Sequence, residues 1–247
     1  MKNVAPYESS VKRFQTGLSL IELMIALAVG VFLLGGVVTV QQSVRQSFGS
    51  QAQLAQFQDS ERLAMTILTD VIQSAGYFPD PTTNTAASAL PIAGQFNRTG
   101  QAVRGTANAN PPGDSITVRF LTASNDGILN CMGGGNTTAN PLMFVNVFSI
   151  DNQGNLTCSL NGANAVPLVQ GVQNMQIFYG VKTTTTNTGS VDSYLKPIEM
   201  TSTNWNNVIS VKITLTFTNP LAGLPGQPAT IPLTRVISVM GITGFKA

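Results

Sequence analysis

Residues 18–40 read LSLIELMIALAVGVFLLGGVVTV, and this stretch decides how the chain is organised. Apart from Ser19, Glu22 and Thr39, every residue in it is apolar or glycine. A helix of about 20 such residues is long enough to cross the hydrocarbon core of a bilayer. The stretch therefore predicts a membrane-spanning helix near the start of the chain.

The distribution of charge predicts the orientation of this helix. The 247-residue chain has a formal net charge of +2, and residues 1–17 account for all of it. Lys12 and Arg13 lie just before the apolar stretch. Because basic residues flanking a transmembrane helix stay on the cytoplasmic side, we expect the N-terminus in the cytoplasm and the remainder of the chain outside.

The composition excludes several classes of function. Charged residues make up 10% of the chain, against about 25% in an average soluble domain, and there is no histidine. A Ser-His-Asp triad, a Cys-His pair and histidine-based metal sites are therefore impossible within this chain. The small net charge also argues against direct binding of nucleic acid.

A cleaved secretory signal peptide is the alternative interpretation of the apolar stretch. It would require a shorter apolar region followed by a small-residue cleavage site of the A-x-A type. Residues 41–50, QQSVRQSFGS, provide no such site. The sequence favours a helix that is retained.

Glu22 is the one carboxylate in the apolar stretch. A charged side chain costs about 2.5–3.5 kcal/mol at the centre of a bilayer and less near the interface. One interpretation is that Glu22 lies close enough to the interface to remain hydrated. The other is that it pairs with a cation, which the chain could supply as a free α-amine if it were cut just before Leu18.

The segment GLSLIEL, residues 17–23, resembles the class III signal of type IV pilins and pilin-like proteins. The resemblance implies that a prepilin peptidase cuts between Gly17 and Leu18, that Leu18 is then N-methylated, and that the apolar helix is kept. Glu22 would be the fifth residue of the mature chain. It could pair with the Leu18 amine of a neighbouring subunit in a filament, because opposite charges attract strongly in a low-dielectric core. Leu18 replaces the phenylalanine common at this position.

Helical patterning continues beyond the apolar stretch. Between residues 41 and 76, apolar side chains recur every three to four positions, as in an amphipathic helix. Gly76, followed closely by a proline, predicts its end. We expect one helix over about residues 18–75, roughly 87 Å long at 1.5 Å per residue. Residues 18–40 would form its membrane half and residues 41–76 its amphipathic half.

The rest of the chain predicts β-structure. Residues 79–113 have the composition of a loop. Strand patterns follow at 115–121, 142–150, 174–181, 208–217 and 233–240. In the fourth of these, residues 209, 211, 213, 215 and 217 are apolar and the residues between them polar, which is typical of a half-buried antiparallel strand. The expected fold class is α+β, pilin-like, with a long helix packed on an antiparallel sheet and a globular domain over residues 77–247.

Later segments resemble the PilW subfamily of minor pilins. These are ILTDVIQSAGY at 67–77, QNMQIFYGV at 173–181, and WNNV at 205–208 leading into an alternating strand. The end of the chain is like the subfamily's last strand but lacks an Arg-Asn ending. The resemblance implies a structural subunit that helps to prime pilus assembly.

The remaining candidate residues are interpreted structurally. Cys131 and Cys158 are the only cysteines, and outside the cytoplasm we expect them to form a disulfide rather than remain free thiols. Residues 151–155, DNQGN, lack the spaced carboxylates of a calcium loop and predict a hairpin turn. Tyr179 and Trp205 are expected in the core or at a sheet edge. No catalytic residue, cofactor or metal is predicted.

The sequence thus predicts a minor pilin that is not an enzyme. Its expected partners are other minor and major pilins, the prepilin peptidase and the inner-membrane assembly platform. It would lie in the inner membrane with its C-terminal domain in the periplasm, then in the filament near the tip. The alternatives are a type II secretion pseudopilin, a membrane-anchored periplasmic enzyme or binding module, and a tip adhesin.

Overall fold

The computed structural model describes residues 17, 19–108, 113–183 and 190–239. The chain divides into two compact units, Met1–Gln51 and Ala52–Ala247. Helix α1, Leu20–Gln73, begins in the first unit and ends in the second. The predicted single long helix is therefore present, while its first predicted residue, Leu18, lies outside the described residues.

The two parts of α1 have different surroundings. Within the first unit, the apolar side chains of the helix are exposed. Within the second unit, one face of the helix is buried in the core, and it consists of Ala64, Met65, Leu68, Val71 and Ile72. The helix ends because Gly76 takes a left-handed backbone conformation, with φ +81°, and its N–H donates to the carbonyl of Arg119 rather than to the helix.

The second unit contains two antiparallel sheets rather than the one expected. The first has the strand order β1-β2-β3-β4-β5 and the second the order β7-β6-β8-β9. The strands are β1 Val103–Thr106, β2 Ser115–Thr122, β3 Leu142–Ile150, β4 Asn155–Leu160, β5 Val166–Gln170, β6 Val172–Val181, β7 Ser193–Leu195, β8 Val208–Thr218 and β9 Thr230–Ser238. A four-residue helix, α2 Ala86–Ala89, and short 3-10 helices at Pro197–Glu199 and Asn204–Asn207 complete the described structure.

Buried and half-buried side chains alternate along β8 as predicted from Val211 to Phe217. The alternation does not extend to the residues before Val211. Ser210 is buried and Ile209 only half-buried, the reverse of the expectation. The cause is a bulge, because Gly180 pairs with Ser210 while Val181 pairs with Val208, so that Ile209 has no partner on β6. An extra residue of this kind reverses the faces of the strand on one side of the bulge.

The two sheets are joined at Asp114. Its backbone N–H donates to the carbonyl of Met175 at 2.8 Å, and its Oδ2 accepts from the backbone N–H of Ile177 at 2.9 Å. Asp114 immediately precedes β2 of the first sheet, whereas Met175 and Ile177 belong to β6 of the second. This contact covers part of the outer edge of β6 that the short strand β7 does not reach.

The predicted disulfide between Cys131 and Cys158 is present, with the Cα atoms 6.4 Å apart. It fastens the long loop between β2 and β3 onto β4, and both cysteines are buried. The same loop is held by Asn146, whose Oδ1 accepts from the backbone N–H of Cys131 at 2.9 Å. The disulfide and this hydrogen bond together anchor the loop to β3 and β4.

Removing the disulfide is expected to destabilise the second unit. The bond closes a loop with a sequence separation of 27, and restricting the unfolded chain to that extent contributes about 3 kcal/mol. The double variant Cys131→Ala/Cys158→Ala should lower the free energy of unfolding by about this amount in urea denaturation of the full chain in detergent. The matched control is the reduced wild-type chain, which should lose a similar amount. A midpoint unchanged in both would show that the bond contributes nothing to stability.

Candidate assembly site

The candidate site begins at the N-terminus of α1. The carbonyl of Ser19 accepts hydrogen bonds from the backbone N–H groups of Glu22 and Leu23, at 3.0 and 3.1 Å. Gly17, Ser19 and Glu22 are all exposed. The structure brings Gly17 and Glu22 to the same end of one helix, but Leu18 lies outside the described residues, and the Leu18 amine is not placed.

Glu22 lies in the first turn of α1. The positive end of the helix dipole favours a carboxylate there. Among the described residues, no cation forms an ion pair with it and no donor binds its side chain. Glu22 is therefore a carboxylate without a partner among the described residues of one chain.

The apolar surface of α1 in the first unit is also uncovered. This is the one described helix long and apolar enough to cross a membrane, with a mean hydropathy of 2.6 over its most apolar part. Leu20 and Phe32 are 76% and 82% exposed. Such a continuous apolar surface requires lipid or other apolar helices around it.

Three glycines of this helix leave space beside its backbone. A Cβ atom added at Gly30, Gly35 or Gly36 would meet nothing within 4 Å. No contact with the described part of the chain therefore requires glycine at these positions. Small residues of this kind allow the backbones of neighbouring helices to approach closely.

The loop at residues 151–155 forms the predicted hairpin turn, between β3 and β4. Asp151 Oδ1 accepts from the backbone N–H groups of Gln153 and Asn155, both at 2.9 Å. Its Oδ2 accepts from the side-chain amide of Asn155 at 2.8 Å. These bonds, that of the Asn155 side chain above all, hold the pKa of Asp151 below its ordinary value. Both oxygens of the Asp151 carboxylate are therefore used by hydrogen bonds within the turn.

Tyr179 and Trp205 lie in the core, as predicted. Their rings pack edge to face, with centroids 4.9 Å apart and an interplanar angle of 67°, and the Arg104 guanidinium lies 5.0 Å from the centre of the Trp205 ring. Burial raises the pKa of the Tyr179 hydroxyl well above its ordinary value. The hydroxyl occupies the space that a Cβ would take at Gly105, which explains why glycine is needed there.

Arg119 is the residue that sequence reasoning missed. It is 1% exposed and its guanidinium donates to three backbone carbonyls, those of Gln101 and Pro91 at 2.6 Å and that of Leu90 at 3.1 Å. The ring of Phe96 lies 4.2 Å from it. Burial lowers its pKa to about 10, so the group remains charged at neutral pH. The only available signal was an arginine inside a strand whose other residues are apolar or carry hydroxyl groups.

Comparison with known proteins gives two family matches. Residues 12–38 match the prokaryotic N-terminal methylation motif, and residues 147–228 match the type IV pilus-assembly protein W family, PilW. The first match covers Gly17, Leu18 and Glu22, and the second runs from β3 to beyond β8. The chain is a type IV pilin-like protein of the PilW type.

A solved structure adds context without deciding the family. A type IV-like pilin from Thermus thermophilus shares 14% identity over 75% of this chain and 96% of its own, with a TM-score of 0.41. That score is too low to establish a shared fold, so the assignment depends on the two sequence matches. No curated protein matches the chain.

The PilW and methylation matches together define a minor type IV pilin. They do not favour the pseudopilin alternative, because the matched family is one of pilus assembly. The methylation motif and the apolar helix make this PilW-type protein a membrane-anchored pilin. Pilin families are structural, and their members interact with other pilins and with prepilin peptidase.

Proposed function

We propose that this PilW-type protein is cut between Gly17 and Leu18, is N-methylated at Leu18, and then joins a small complex of minor pilins that primes the filament. The observation that carries the proposal is the combination of an exposed Gly17, an unpaired Glu22 and an uncovered apolar helix at one end of α1. None of the three has a partner among the described residues of a single chain. All three acquire one when helices pack side by side.

The proposed sequence of events follows the energetics of Glu22. In the inner membrane, with the second unit in the periplasm, the helix is surrounded by lipid and the carboxylate has no cation to pair with. Cutting before Leu18 creates a new positive charge four residues away along the same chain. In a filament near its tip, the Leu18 amine of one subunit would lie against Glu22 of its neighbour, where the low dielectric strengthens the attraction.

The proposal is tested by the intact mass and N-terminal sequence of the membrane-extracted protein, with and without active prepilin peptidase. We expect a chain that begins at methylated Leu18 only when the peptidase is active. Gly17→Val should leave the leader, residues 1–17, attached to the chain, because the valine side chain adds bulk directly before the bond that is cut. Gly49→Val is the matched control, since a Cβ at Gly49 also meets nothing within 4 Å. A wild-type chain still beginning at Met1 beside an active peptidase would overturn the proposal.

The priming role is tested separately by deleting the protein from cells that assemble pili. We expect few or no surface filaments and intact type II secretion. Loss of secretion with normal filament numbers would instead assign the protein to the secretion system. In wild-type cells, immunogold labelling along sheared filaments should place the protein at filament ends, and labelling along the whole length would contradict the tip position.

A further inference from the structure

Strand β9 is an outer strand of the four-stranded sheet and pairs with β8 alone among the described strands. The backbone N–H of Val239 donates to the carbonyl of Ile209 at 2.9 Å, so this pair is a hydrogen-bonded one. In an antiparallel ladder the bonded pairs alternate with unbonded ones. The N–H and C=O groups of Thr234, Val236 and Ser238 therefore point away from β8.

The position of Pro232 supports this assignment of the backbone groups that point away from β8. The register places it at the same alternate positions as Thr234 and Val236. Proline has no N–H and is tolerated in a strand where that group would point away from the sheet. The outward-facing backbone of β9 therefore has its donors at Thr234, Val236 and Ser238, and Pro232 limits pairing at one end.

The opposite edge of the same sheet is covered. β7 pairs with one end of β6, and Asp114 bonds to Met175 and Ile177 along the remainder. On β9, by contrast, no described residue bonds to the outward backbone groups of Thr234, Val236 or Ser238. A nine-residue open edge is unusual, because natural sheets generally shorten or cover their edges.

One cation lies near this edge on each face of the sheet, Lys212 on the neighbouring strand β8 and Arg235 on β9 itself, while Lys196 follows β7 at the opposite edge. On one face, the register forms a row across the strands in which Phe178 pairs with Lys212 and Lys212 with Val236. The Nζ atoms of Lys212 and Lys196 lie 5.7 and 6.0 Å from the centre of the Phe178 ring. Val236, at the end of the row, is 53% exposed.

On the other face, Arg235 projects from β9 itself. It is exposed, and its Nη1 donates to Thr69 Oγ1 at 3.3 Å. None of the three cations Lys196, Lys212 and Arg235 forms an ion pair with a carboxylate in the described residues. Glu199, close to Lys196 along the chain, accepts from the backbone N–H of Lys196 at 2.8 Å.

We propose that the β9 edge binds an extended, carboxylate-bearing strand of a partner protein by strand addition. The backbone groups of Thr234, Val236 and Ser238 would supply the main-chain hydrogen bonds, and the cations would select the side chains. Strands lie about 4.8 Å apart, so a glutamate added beside Val236 would be about 10 Å from the Lys212 backbone, which both long side chains together can span. This inference does not depend on pilin processing.

The same charges argue against a second copy of this chain as the occupant. Two β9 strands side by side would bring the Arg235 guanidinium groups of both copies to one face of the new sheet. Like charges on neighbouring strands are destabilising. A strand with carboxylates on either face meets a cation there, whereas a second β9 strand gains from neither face.

The test is amide hydrogen exchange on the full chain in detergent micelles. The probe is a capped nine-residue peptide of alternating Glu and Val, and the comparison is the same peptide with Lys in place of Glu. At a Glu-peptide concentration of about ten times its Kd, exchange of the Thr234, Val236 and Ser238 amides should slow about tenfold. The Lys peptide should leave these rates unchanged.

Two pairs of variants separate the backbone contribution from the charge contribution. Val236→Pro removes an outward N–H without breaking a bond to β8 and should abolish the slowing at Thr234 and Ser238, whereas Val236→Thr should retain it. Lys212→Glu should reduce Glu-peptide binding at least tenfold. Arg62→Glu, the same charge change at an exposed position on α1, should not.

Each other outcome overturns the proposal. Equal slowing by the Glu and Lys peptides would show pairing without charge selection, and equal loss in the Lys212 and Arg62 variants would show only a general charge effect. Slowing confined to β5, or to no amide at all, would show that β9 does not accept a strand. Because Lys212→Glu leaves the β9 backbone unaltered, the test remains decisive even if Val236→Pro fails to fold.

Discussion

Replacing Arg119 by alanine is expected to lower the free energy of unfolding by about 3–5 kcal/mol, a large part of the total stability of a domain. The substitution leaves the carbonyls of Pro91 and Gln101 without their guanidinium donor, whereas that of Leu90 keeps its bond from the Gly100 backbone N–H at 2.8 Å. A buried carbonyl left without a donor costs about 1–3 kcal/mol. The cavity beside Phe96 adds to this loss, while relief from burying a charge offsets part of it.

The Arg119 prediction is measured by urea denaturation of the full chain in detergent. Arg119→Lys should lose at least half as much stability as the alanine variant, because an ammonium cannot reproduce the planar arrangement of donors. Arg98→Ala, at an exposed position, is the control and should change stability by less than about 0.5 kcal/mol. Equal effects of Arg119→Ala and Arg98→Ala would mean that the segment over residues 90–101 is held by its other contacts.

The parts of the fold that sequence analysis recovered are those with a long, regular pattern. Helix α1 was predicted because its apolar character and its periodicity extend over many turns. Strand β3 was predicted with its observed bounds, Leu142–Ile150, since nine β-prone residues stand between turn-forming ones. In both elements the local pattern and the tertiary packing favour the same structure.

The missed elements are short or depend on packing. Strands β1, β5 and β7 have three to five residues each, too few to show a period. The division into two sheets was missed because alternation indicates which side chains are buried but not which strands pair. The bulge at Ile209 was missed because apolar and polar residues alternate without a break along the sequence of β8 from Ile209 onward. Only the pairing of β8 with Gly180 and Val181 interrupts this alternation.

The candidate site was predicted from a resemblance to the type IV pilin signal and from the need of a carboxylate in an apolar stretch for a cation, rather than from folding. A glycine, a carboxylate five residues later and an uninterrupted apolar stretch form a motif that remains recognisable without any structure. Arg119 could not be found in that way, because its partners are backbone carbonyls brought together by the fold from residues 90–101. Backbone carbonyls have no signature in a sequence, so a buried cation that depends on them has no visible partner.

Glu22→Ala is expected to abolish incorporation into filaments while leaving the protein in the membrane and processed at Gly17. Alanine is easier to insert into a bilayer than a carboxylate, so the membrane-bound precursor should accumulate at least as well as the wild type. In the filament, however, the Leu18 amine of the adjoining subunit would be left in a low-dielectric core without a counter-charge. Leaving one member of a buried ion pair unpaired costs about 3–5 kcal/mol.

A loss of 3–5 kcal/mol corresponds to about 140- to 3,700-fold in an assembly equilibrium, at tenfold for each 1.4 kcal/mol. It should therefore remove the protein from sheared filaments when the membrane and filament fractions are compared by quantitative immunoblot. Glu22→Asp retains the charge and should incorporate better than Glu22→Gln, which retains only hydrogen-bonding capacity. Asp59→Asn, which removes an exposed carboxylate from the same helix, is the matched control and should incorporate normally. Normal incorporation of Glu22→Ala would show that helix packing alone drives assembly, with Glu22 a hydrated residue at the interface.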